Sequence, residues 1–185
     1  MKYIKILLFV CTLYLPIANT NAQIYATASG KTTFYSTARL EDIEATSKNT
    51  NVVLNTTTNE VLFKVLISSF VFKNGLLQEH FNETYMESDK NPYAQFKGKI
   101  NETINYAVAG EYAVTVRGSL LIHGVSVDRT IPGTLKITQG SITLVSNFIV
   151  PVSAHRIDIP NDKISNIAQD IEVSVYAVCP PYVKK

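Results

Sequence analysis

Three side chains near the middle of the chain have the types and spacing for metal chemistry. His80, Glu83 and Glu87 stand at i, i+3 and i+7, so on a helix all three project from one side. An imidazole and two carboxylates are the beginning of a metal site. No second histidine lies close by, and a solvated helix face explains the same residues, so no metal is assigned. His123 precedes Gly124 between two strand-like runs, where a polar residue ahead of glycine serves a hairpin turn. His155-Arg156-Ile157-Asp158 follows the break at Pro151 and reads as a loop ion pair. Asp128-Arg129 reads as an exposed pair on a strand, worth little energetically. The chain contains no Gly-x-Ser-x-Gly elbow, no His-Glu-x-x-His helix and no Cys-x-x-Cys. Nothing pairs a nucleophile with a base, so the protein is read as a non-enzyme with no catalytic residue.

The element carrying His80 is the most informative in the chain. Leu76 or Leu77, His80 or Phe81, and Tyr85 recur every three to four residues, which predicts a short amphipathic helix. It stops near Pro92, and a strand follows at Ala94–Ile100. Everything around it reads as strand. One helix in an otherwise antiparallel chain suggests a flap over a barrel mouth, a place where ligands bind. Gly75 before it and Ser88–Asn91 after it supply its hinges.

The first 22 of the 185 residues read as a signal peptide, leaving 23–185 as a single domain. Lys2 and Lys5 form a basic start, Ile6–Leu15 an apolar run, and Thr20-Asn21-Ala22 a cleavage site. The run is too short to span a bilayer, and Pro16 interrupts it. Val10 before Cys11 argues against lipidation. No later segment is long and apolar enough to span, so the mature protein is expected to be soluble, periplasmic or secreted. Two lysines leave with the leader, so 15 basic residues face 15 acidic ones. Neutrality gives no footprint for nucleic acid or an anionic membrane face. Cys179 alone survives processing, so no intrachain disulfide framework exists. It reads as a small buried residue ending the last strand before Pro180-Pro181. Three acceptor-type tripeptides begin at Asn55, Asn82 and Asn101; they arise freely in a chain rich in Asn and Thr.

Strand signals follow at short intervals over Gln23–Ser36, Val52–Asn55, Glu60–Phe72, Glu111–Ile122, Val125–Ile131, Gly133–Thr138, Ser141–Val150 and Ile171–Cys179. Leu40–Ser47 reads as a short helical or turn segment, because three acids surround Leu40 and Ile43. Val114, Val116, Leu120 and Ile122 share one face of their strand, as do Ile142, Leu144, Ser146, Phe148 and Val150. The run Glu60–Phe72 is apolar on both faces and needs a cover on one, for which the flap helix is a candidate. A sheet with one apolar face must pack on a second sheet or curl on itself. Periodicity fits sandwich and barrel equally.

Two blocks carry a family resemblance. Phe63-Lys64-Val65-Leu66-Ile67-Ser68-Ser69, then Glu79-His80-Phe81 and Pro92-Tyr93-Ala94-Gln95-Phe96, form the first; Gly118-Ser119-Leu120-Leu121-Ile122-His123-Gly124-Val125 forms the second. In this order, behind a secretion signal, they resemble the YceI-like family over nearly all the mature chain. The resemblance implies an all-β fold, an antiparallel eight-stranded lipocalin-like barrel with a short helix near its mouth and a long apolar channel. It implies binding of a polyisoprenoid or other amphiphilic lipid in the bacterial periplasm. Many members carry Arg-Asp before the helix histidine, where this chain has Leu77-Gln78-Glu79, which weakens the case for a charged head group.

An isoprenoid offers only methyl and methylene surface, so its binding must come from apolar area removed from water. On the lipid-pocket hypothesis, Phe34, Phe63, Phe70, Phe72, Leu76, Leu77, His80, Phe81, Tyr85, Phe96, Leu120, Ile122, Leu144 and Phe148 lie against the ligand. The competing account has these residues fill a dry core. The expected function is an exported carrier, store or sensor of an isoprenoid or quinone-like lipid, with no other cofactor. The alternative is an exported structural or stress-response module whose filled barrel acts through a protein partner. Exposed strand edges and Cys179 leave a homodimer open.

Overall fold

The computed structural model describes residues 24–37, 42–159 and 168–183. The predicted leader, residues 1–22, lies outside them. Among the described residues nine strands are present: β1 (Ile24–Ser36), β2 (Ile43–Asn55), β3 (Glu60–Leu66), β4 (Val71–Phe72), β5 (Tyr93–Ile100), β6 (Gly110–Ile122), β7 (Val125–Ile137), β8 (Ile142–Pro151) and β9 (Asp170–Cys179). One short helix, α1 (Gly75–His80), runs on into a π-type turn at Phe81–Tyr85.

The ladders join β1, β9, β8, β7, β6, β5, β3 and β2 in that order, and β2 pairs again with β1. Every described pairing is antiparallel. The result is a closed eight-stranded barrel, in which β7 and β8 pair only over Thr134–Ile137 and Ile142–Val145. The two-residue β4 pairs Ala45↔Phe72 and Thr46↔Val71, continuing the wall where β3 turns away at Ile67–Ser69. The choice between sandwich and barrel is thus decided by closure of β1 on β2, a pairing that periodicity cannot reveal.

Three expectations fail locally. Leu40–Ser47 is not helical: β2 begins at Ile43, with Ala45 and Ser47 buried on its inner face. Its acids mislead because a barrel strand tolerates charge on its solvent side; Glu44 is exposed. Second, Pro132 does not split β7. In β7 it faces Thr115 of β6, while the β7–β8 ladder covers only Thr134–Ile137 against Ile142–Val145. The missing N–H therefore breaks no ladder bond, and Ser146 Oγ donates to the Pro132 carbonyl at 2.6 Å. Third, the run Glu60–Phe72 is two strands joined by a tight turn, and Leu66 and Val71 on its outer side remain exposed rather than covered by the helix.

One end of the barrel is solid. Val52, Leu54, Val61, Ile100, Val114, Leu135, Ile137, Ile142, Leu144, Ala177 and Cys179 pack there into a buried cluster. Each sits on the inward face of its strand, and where one strand supplies two of them they are two residues apart. Tight coiling of the wall needs glycine where β5 meets β6: Gly98 faces Gly118, and a Cβ at Gly98 would lie 2.7 Å from the Arg117 carbonyl.

Candidate functional site

Above that floor the barrel is hollow. A cavity of about 540 Å³ runs from the floor to the helix end, within the range of ligand pockets in proteins. All fourteen residues selected from the sequence line it, from Leu144 near the floor to Leu76, Leu77, His80, Phe81 and Tyr85 beneath the helix. Phe96 and Leu120 form its middle with Ile131 and Val150, flanked by Phe63, Ile122 and Phe148. Sequence reasoning missed several wall residues. Ile171, Val173 and Val175 line it from β9, and their period-two spacing in an identified strand was the signal. Thr32, Ser36 and Thr50 also line it, and no apolar pattern marks them.

Four phenylalanines close the helix end. Phe34 of β1, Phe70, Phe72 of β4 and Phe81 after α1 form one cluster, with Phe34 stacked on Phe81 at 5.2 Å and 26°. Phe72 and Phe70 approach Phe81 at 5.0 and 5.9 Å. The helix itself is lightly held. Asn74 caps it, its side chain accepting from the Leu76 N–H at 2.9 Å, and it buries no residue completely. Leu76 is 58 % exposed. The π-type turn after it, with Met86 N–H on the Phe81 carbonyl at 2.9 Å, rolls Phe81 inward and buries Met86. The regular helix face predicted over Leu76–Tyr85 therefore breaks at Phe81.

That break also separates the three candidate metal ligands. His80 and Glu83 stay exposed, whereas Glu87 adopts a positive φ of 43° and turns to the β6–β7 hairpin. There its carboxylate meets the His123 ring nitrogen Nε2 at 3.1 Å and the Lys90 ammonium. Lys90 and then His123 hold the Glu87 carboxyl below the usual carboxylate range. Among the described residues, no three His, Cys, Asp or Glu side chains group as metal ligands.

His123 and Gly124 both take positive φ, 50° and 70°, as a two-residue hairpin turn requires. His123 does more than turn the chain, because its Nδ1 also approaches the His155 carbonyl at 3.4 Å. His155 is no partner in a loop ion pair. It is 0 % exposed, and its Nδ1 donates to the Val125 carbonyl at 3.1 Å. Burial pushes its pKa below the ordinary histidine value, so the neutral ring is the one this site holds. Arg129, read from the sequence as paired with Asp128, instead donates to the Ile149 carbonyl at 2.8 Å across the gap where β7 and β8 part. Glu87, His123 and His155 thus tie the end of the helix segment to two loops on the same rim.

The comparisons agree with this architecture. A family model, the YceI-like domain, matches residues 18–179. None of the curated proteins matches the chain. A polyisoprenoid binding domain from Saccharophagus degradans, implicated in plant cell wall breakdown, superposes with a TM-score of 0.74 at 11 % identity. That match covers 88 % of this chain and 100 % of the other. BcnA of Burkholderia cenocepacia gives 0.68 at 16 %, over 82 % and 96 % of the two chains. A YCEI protein of Campylobacter jejuni gives 0.58 at 15 %, over 74 % and 81 %. At such low identities these structures speak for the fold, and the family model speaks for descent. With its closed eight-stranded barrel and one short helix at the rim, the chain belongs to the YceI-like family.

Proposed function

We propose that this protein is an exported, non-enzymatic carrier, store or sensor that holds a polyisoprenoid or similar amphiphile inside its barrel. The observation that carries the reading is the cavity of about 540 Å³ walled by apolar side chains. An amphiphile burying roughly 400 Å² of hydrocarbon there gains about 10 kcal/mol before association costs, at about 25 cal/mol per Å². The family and the Saccharophagus degradans domain support a lipid as occupant. The hollow interior above the floor supports this reading over the filled-barrel alternative. Export rests on the leader-like residues 1–22; among the described residues no helix is long and apolar enough to cross a membrane.

The chain contains no tryptophan, so Phe148→Trp places a single reporter on the cavity wall. Titrating a long-chain polyprenol should shift its emission and saturate at one lipid per protein. A folded variant whose emission ignores every apolar lipid offered would refute the proposal.

A further inference from the structure

Thr32 and Thr50 form a buried polar pair on a mostly apolar wall. Both line the cavity, at 7 % and 1 % exposure, and their Oγ1 atoms lie 2.7 Å apart. They are not ladder partners: Gly30 faces Thr50 and Thr32 faces Ser47. Register shifts on either side of Gly30 bring them together, and bulges of this kind re-aim side chains. Gly30 permits it, since a Cβ there would sit 2.9 Å from the Thr50 carbonyl and 3.3 Å from the Ala177 Cβ.

Two hydroxyls carry two hydrogens, and only one can lie between the two oxygens. Neither hydroxyl makes another hydrogen bond among the described residues. One O–H hydrogen of the pair is therefore left without an acceptor among the described residues, on a wall where an unmet buried donor is costly. Among the other wall hydroxyls, Ser146 donates to the Pro132 carbonyl at 2.6 Å, and Ser36 accepts from the Ala168 N–H at 2.9 Å.

We infer that the Thr32–Thr50 pair is a hydrogen-bonding subsite for one uncharged carbonyl oxygen of the bound lipid. This deepens the proposed lipid-binding reading and rests on it. The chemistry selects a ketone, ester, amide or quinone oxygen over a carboxylate. A buried anion would need several donors or a cation, and the pair offers one neutral donor. The lipid's polar group then sits inside the barrel wall and not at the rim.

The test compares an 18-carbon methyl ketone with the 18-carbon alkane and carboxylate, each displacing diphenylhexatriene from the full-length mature protein. The ketone should compete about tenfold better than the alkane, as one neutral hydrogen bond allows. Replacing both residues by valine (Thr32→Val with Thr50→Val) should bring that ratio to about one. Replacing both by serine should keep it, which separates hydroxyl chemistry from packing. Thr33 and Thr46 form a similar pair at 2.9 Å on the opposite face of the same strands, and their valine variants should leave the ratio alone. Equal competition by ketone and alkane in the native protein overturns the subsite but not the cavity reading. A preference that survives the double valine variant, or a carboxylate that competes best, also overturns it. Failure of all three compounds to displace the dye removes the lipid-binding reading itself.

Discussion

Phe81→Ala should loosen the rim more than any other single change in the helix segment. Phe81 touches three rings, Phe34, Phe70 and Phe72, with centroids 5.2, 5.9 and 5.0 Å away. Each aromatic pair contributes about 0.5–1.5 kcal/mol beyond area burial, and a fully buried Phe→Ala costs about 3–5 kcal/mol. Phe81 is half-buried and faces a cavity on one side, which lowers the cost to about 2–3 kcal/mol. Leu76→Ala on the same segment should cost under about 1 kcal/mol, because Leu76 is 58 % exposed. Urea unfolding of both variants measures the difference. With a slope of about 2 kcal/mol/M, the midpoint should fall by roughly 1 M for Phe81→Ala and by under half of that for Leu76→Ala. Release of a bound apolar dye should accelerate in the Phe81 variant, since the cluster roofs the cavity. Equal costs for the two substitutions, or a Phe81→Ala midpoint within experimental scatter of the parent, would refute an aromatic clamp.

Other consequences follow from the rim and the floor. The His155 pKa is depressed by burial, so the unfolded chain takes up that proton first as pH falls. Stability should be full above about pH 6.5 and decline below it until the folded-state pKa is passed, and His155→Gln should flatten that part of the urea midpoint profile. Glu87, held low by Lys90 and His123, adds an acid loss at lower pH: its contribution is present above the unfolded carboxylate range and disappears as pH drops through the folded value. Glu87→Gln should remove that lower step and speed dye exchange, with strand content unchanged in circular dichroism. Cys179 is buried and its thiol is pushed up to about 11, so it should resist a disulfide reagent at pH 8 until urea unfolds the floor. Arg129→Ala removes the bridge to the Ile149 carbonyl and should lower stability by about 1 kcal/mol, read from the same urea curves.

Much of this molecule was legible because a barrel wall imposes period two. Leu120 with Ile122, and Leu144 with Phe148, declare an inner face by spacing, and inner faces of a closed sheet can only line one interior. Barrel closure was not legible from spacing, because Phe34↔Ala45 and its neighbours pair residues whose alternation fits a sandwich equally well. The family resemblance carried that step. Pro132 misled because its cost depends on whether a neighbouring strand needs its N–H, which is a matter of where β8 diverges. Glu87 and His123 looked like a helix face and a turn; a left-handed residue after the π-type turn brought them together. The inward Thr32 and Thr50 escaped notice because bulges, not sequence spacing, set their meeting.

The most direct test of a lipid-holding barrel is mass spectrometry of an organic extract of the mature protein, purified without detergent from its native host. The account predicts a near-stoichiometric isoprenoid or quinone-like lipid that carries an uncharged carbonyl. A folded protein whose extract is empty, and which takes up no polyprenol when one is supplied, would contradict it.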